Sequence, residues 1–106
     1  MNMKLLAELL EFDLEDVEML VDMFLTDTKE SLENIESTIE SNDFEQMKNI
    51  AHGIKGSALN LMLSEIAEVA LEIEQSAKTK SSIDYHTLFQ KLEFELSIIA
   101  DIKAEV

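Results

Sequence analysis

The chain of 106 residues has no cysteine, no proline and only two glycines. Without cysteine there is no disulfide, no thiolate metal site and no thiol nucleophile, a composition that suits a reducing compartment. Without proline, and almost without glycine, the chain lacks the turn punctuation that an all-β domain requires. Cations are also scarce. Eight lysines and no arginine stand against 23 acidic residues, giving a net charge of −15. A surface of that sign repels phosphate backbones and anionic lipid heads, which argues against nucleic-acid binding and direct membrane contact. No apolar run approaches the ~18 residues of a bilayer span, and no basic-then-apolar signal segment opens the chain. The protein is therefore expected to be soluble and cytoplasmic.

What is present points to helices. Apolar residues make up 46% of the chain and charged residues 29%, enough for one core in a single domain over residues 1–106. "MKLLAELLEF" (3–12) has apolar residues at 5, 6, 9 and 10 and predicts a short helix. Asp13 is placed to cap a second, long helix, in which Val17, Leu20, Val21, Phe24, Thr28, Leu32, Ile35 and Ile39 keep helical spacing up to "ESND". Asp43, followed by Gln46, resembles a capping box and opens a third helix with Phe44, Met47, Ile50, Ala51, Ile54, Ala58 and Leu61 on its apolar stripe. Ser64 is expected to cap a fourth, with Ile66, Val69, Ala70 and Ile73 inward. "KTKSSID" (78–84) is a loop, and a last helix runs from about Tyr85 with Leu88, Phe89, Leu92, Leu96, Ile99 and Ile102 inward. The expected fold is all-α: an antiparallel four-helix bundle with a short additional N-terminal helix.

Both glycines lie in "AHGIKGSALN" (51–60), inside the third helix, where each costs roughly 1 kcal/mol relative to alanine. At about 100° per residue, with His52 at zero, the apolar stripe centres near 220°, so the imidazole points away from the core. Gly56 falls at about +40°, Lys48 at −40°, Lys55 at −60°, Leu59 at −20° and Asn60 at +80°. Packing inside the bundle therefore does not explain Gly56. Two of the eight lysines flank the ring in an acidic chain and form a local positive spot that can hold an anion. No Asp or Glu occurs from 46 to 57, so the helix itself supplies no orienting carboxylate of the kind a catalytic triad uses. An open imidazole beside ammonium groups fits a covalent phosphoryl group, with Lys55 and Lys48 offsetting the arriving charge. A ferritin-like metal site would need glutamate three residues before a histidine on two helices. Asn49 precedes His52 and Ile83 precedes His86 at that spacing, so no metal or other cofactor is expected on this chain.

"HGIKGSALNL" (52–61) resembles the signature of histidine-containing phosphotransfer (Hpt) domains, in which lysine and glycine follow the phosphorylated histidine at the third and fourth positions, often with serine next and asparagine-leucine further on. Here these are Lys55, Gly56, Ser57, Asn60 and Leu61. "MLVDMFLTDTKESLENIESTIESND" and "FEQMKNIAHGIKG" resemble the family's long second helix and the approach to its histidine. The resemblance implies a phosphoryl carrier without kinase activity of its own. His52 would be phosphorylated, and Lys55 would be its electrostatic partner, with Lys48 beside it. Gly56, Gly53, Ser57, Leu59 and Asn60 would serve access and docking. The implied partners are a response-regulator receiver domain, which brings the magnesium, and a sensor histidine kinase. The carrier is expected to be a cytoplasmic monomer, either free or as a domain of a membrane-anchored kinase. Two positions depart from the family pattern: Met62 stands where many members have glycine, and Gly53 where they often have a larger polar residue. The alternative reading is a helical docking module for a receiver that is never phosphorylated.

Overall fold

The computed structural model describes residues 2–104, which form six helices and no strand. These are α1 (Met3–Leu10), α2 (Leu14–Ser31), α3 (Ile35–Glu40), α4 (Phe44–Asn60), α5 (Ser64–Lys78) and α6 (Tyr85–Ala104). The long second helix expected from the sequence is broken in two at residues 32–34. Side-chain hydroxyls compete for the backbone there. Ser31 Oγ donates to the Asp27 carbonyl, and Ser37 and Thr38 both donate to the carbonyl of Asn34, a pattern that bends or ends helices. The apolar spacing continues across the break, and Ile35 and Thr38 stay buried. Together α2 and α3 act as one bent arm of a bundle completed by α4, α5 and α6, while α1 packs on α2.

The core runs the length of this bundle. Val17, Val21 and Phe24 of α2, Met47, Ala51, Ile54 and Ala58 of α4, Ile66, Ala70 and Ile73 of α5, and Phe89 and Leu92 of α6 are all buried. The alanines on the facing stripes of α4 and α5 let these two helices approach closely along most of their length. The far half of α6 is less enclosed, with Leu96, Ile99 and Ile102 only partly buried. On α1 the buried residues are Met3, Leu6 and Ala7, whereas Leu5 and Leu9 are exposed.

Caps behave unevenly. Asp43 accepts from the Gln46 N–H as expected, but Asp13 makes no side-chain cap bond. Ser64 is the first residue of α5, and Leu63 takes the N-cap position. The α4–α5 connection is a Schellman turn: the Met62 N–H donates to the Leu59 carbonyl and the Leu63 N–H to Ala58. That turn requires a left-handed residue, and Met62 supplies it with φ of 57°. The family's glycine at this position has a clear use that methionine serves at a steric cost.

Candidate functional site

Because α4 and α5 run antiparallel from a three-residue turn, residues equidistant from it meet side by side. His52 thereby faces Glu74, 22 positions away in sequence. The sequence missed this carboxylate. Glu74 Oε2 lies 2.6 Å from His52 Nδ1, and Lys55 Nζ donates to Glu74 Oε1 at 2.5 Å. An ionised carboxylate only accepts, so Nδ1 carries a proton, and in the neutral ring the lone pair is then on Nε2. The His52 side chain is 70% exposed and Glu74 only 16%, so the anchor is sheltered while the imidazole stands in solvent.

The Lys55 ammonium, hydrogen-bonded to Glu74, holds its carboxyl below the usual glutamate range; His52 adds to this and partial burial opposes it. Glu74 is thus ionised at neutral pH and fixes the ring. The positive spot expected from the sequence is thereby cancelled. Lys55 is matched by Glu74, and Lys48 pairs with Glu45 at 3.2 Å within α4.

The other expected residues divide between two flanks of His52. Lys55 lies toward α5 with Glu74. Gly53 and Ser57 lie toward α2, where they line a cleft with Asn49, Asp27, Thr28 and Ser31. Gly56 and Asn60 are exposed, as is Leu59 at 58%. A Cβ built at Gly53 or at Gly56 would meet nothing within 4 Å. Neither glycine is required by packing, so both leave open space beside the imidazole. His86, the second histidine, pairs with Glu36 of α3 at 3.1 Å and lies outside this group. Among the described residues no cluster of three or more His, Asp or Glu side chains is arranged to hold a metal ion, and no helix is long and apolar enough to cross a membrane.

The family model of the Hpt domain matches residues 19–102. A search of curated proteins gives no match. Among solved structures, the chain is similar to histidine-containing phosphotransfer protein B (HptB) of Pseudomonas aeruginosa PAO1. The two share 24% identity and superpose with a TM-score of 0.83 over 96% of this chain and 89% of that one. That likeness establishes the bundle as a shared fold.

Proposed function

The chain belongs to the Hpt domain family, and from that premise we propose that it is a phosphoryl carrier in a two-component phosphorelay, exchanging the group between His52 and the aspartate of a receiver domain. The observation that carries this reading is the seating of His52: Nδ1 anchored on Glu74, with Nε2 free in solvent. A neutral imidazole is a nucleophile only through its unprotonated nitrogen, and the anchor keeps that nitrogen outward.

In the forward step, Nε2 attacks the phosphorus of the receiver's aspartyl phosphate. A P–N bond forms as the P–O bond to the aspartyl carboxylate breaks, and the carboxylate leaves. No proton need be lost, since Nε2 attacks as a lone pair and Nδ1 keeps its hydrogen. The positive charge that develops on the ring is offset by Glu74, in the manner of the carboxylate behind a triad histidine. Glu74 takes one of the three donors of the Lys55 ammonium, so the others can turn to the arriving phosphoryl oxygens; Lys48 would have to leave its exposed pair with Glu45 to add a second cation. Gly56 leaves the gap through which the receiver's loops reach the ring, and exposed Leu59 offers an apolar contact beside it. The chain carries the group without kinase activity of its own. The magnesium belongs to the receiver, and a sensor histidine kinase stands upstream. The carrier works in the cytoplasm, free or as part of a larger kinase, and its charge of −15 opposes self-association, which favours a monomer.

The test is transfer from a phosphorylated receiver, scored as acid-labile, alkali-stable phosphate on the chain. Label on the native protein and none on His52→Gln is the expected result. Binding of competent receivers with no transfer to the native chain would replace the carrier with the docking module.

A further inference from the structure

Gly53 has no role in the chemistry at His52 and no packing reason for its place in a helix interior. What it does have is a cleft. Between α2 and α4 lies a cavity of about 220 Å³, floored by Phe24, Ile50 and Ile54 and edged by polar groups of Asp27, Thr28, Asn49 and Ser57. Gly53 lines it, and a Cβ there would meet nothing within 4 Å.

Two features of this cleft bear on what it could receive. Thr28 is only 3% exposed, yet its hydroxyl makes no hydrogen bond within the described residues, not even the bond to the preceding turn that Ser31 and Thr38 make. Among the described residues no side-chain nitrogen or oxygen is shut away from solvent without a partner, so the Thr28 hydroxyl keeps some solvent access, on the side of the cavity it lines. Asp27 at the rim is the one charged group of the lining and has no cationic partner among the described residues.

The occupant follows from size and charge. Small-molecule sites run to roughly 300–1,000 Å³, so this volume suits one inserted side chain. A free carboxylate with a hydroxyl, an amide and a second hydroxyl offers acceptors to a cation. We propose that the α2–α4 cleft beside Gly53 receives a lysine or arginine side chain of the receiver domain, fixing the register in which its aspartate meets His52. This rests on the carrier reading and adds to it the flank from which the partner is held: the α2 side, opposite the Glu74–Lys55 side.

The test separates protein docking from the reactivity of the imidazole. Phosphoramidate, a small donor whose P–N bond breaks with loss of ammonia, labels His52 without any docking surface. A phosphorylated receiver that labels the native chain needs the surface. Asp27→Asn is expected to leave the phosphoramidate rate unchanged and to lower kcat/KM for the receiver about tenfold through KM, the scale of one charge-assisted hydrogen bond. Thr28→Val is expected to lower it several-fold, and Asp27→Lys more than Asp27→Asn. Glu68→Lys makes the same charge change on α5, in the groove facing α6, and is expected to stay within about twofold of native. Receiver kinetics unchanged in both Asp27 variants would overturn the inference, as would an equal loss in Glu68→Lys. Failure of the carrier reading looks different: His52 of the native chain would take no phosphoryl group from either donor.

Discussion

At His52 the decisive neighbour is a carboxylate contributed by another helix. Glu74 holds Nδ1 at 2.6 Å while its other oxygen is held by Lys55, so one residue sets both the tautomer and the position of the cation. Glu74→Gln keeps the size and an acceptor oxygen but removes the charge that, on the proposed function, would stabilise a phosphorylated, positive ring. Single-turnover transfer from a phosphorylated receiver is expected to slow at least tenfold, a modest share of what such carboxylates contribute in triads; an unchanged rate would mean that the ring orients itself. The same residue sets a pH effect. Its carboxyl is lowered in the folded chain, chiefly by Lys55, so the linkage stabilises the fold above about pH 4.3, the free glutamate value, and is lost as pH falls through the lower folded value. Thermal midpoints measured from neutral to acid pH should therefore fall less steeply for Glu74→Gln than for the native chain. Within its own helix His52 gives no hint of this partner, because residues 46–57 contain no acid. One partial signal was available: Glu74 lies at one edge of the buried stripe of Ile66, Val69, Ala70 and Ile73, where a neighbouring helix is met, although Glu65 lies as near at the other edge. Choosing it requires knowing that α4 and α5 pair.

At the scale of helices, the chain places its glycines against local preference. Among the described residues four adopt the left-handed conformation, Glu11, Asn42, Met62 and Lys80, and none of them is glycine. Both glycines lie inside α4, where the backbone does not need them. Met62→Gly should relieve a left-handed strain of about 1–2 kcal/mol, less the extra freedom glycine has when unfolded. The side chain lost is 45% exposed and packs little. A net gain near 1 kcal/mol is expected, raising the thermal midpoint by about 4–8 °C in a domain of this size; a lower midpoint would show that the Met62 side chain contributes more than its strain costs. Gly56→Ala should likewise stabilise the chain, by about 0.5–1 kcal/mol, since its new methyl meets nothing, while receiver transfer slows because the gap is narrowed. Stability and transfer moving in opposite directions is the signature of a residue kept for its partner. The helices themselves were legible because apolar spacing reports burial directly: every residue expected inward on α4 and α5 is buried or partly buried. The break at residues 32–34 was not legible, because that spacing runs through it undisturbed and the hydroxyl bonds to Asp27 and Asn34 that interrupt the helix leave no mark on the apolar pattern.

The molecule as a whole is a slender bundle, 42 Å long and 20 × 17 Å across, carrying 23 acids and eight lysines. Its radius of gyration of 14.2 Å exceeds the roughly 13 Å usual for a compact chain of about this length, which spreads the charge along the axis. Among the described residues most carboxylates still have no cation beside them: besides the site itself, the ion pairs there are Lys48–Glu45, His86–Glu36 and Lys103–Asp22, with the acids largely exposed. Exposed pairs of this kind contribute about 0–1 kcal/mol each, whereas unpaired like charges repel across every helix face. Folding concentrates that repulsion, and salt screens it, the Debye length shrinking from about 30 Å at 0.01 M to about 8 Å at 0.15 M. The thermal midpoint should therefore rise as sodium chloride is raised over this range, the gain from screened repulsion exceeding the loss from the few weakened pairs. The Glu74–Lys55 contact, with both side chains partly buried, should be screened least, so Glu74→Gln should show nearly the same rise. A midpoint that fell with salt would mean that the ion pairs, few as they are, outweigh the self-repulsion of a −15 chain.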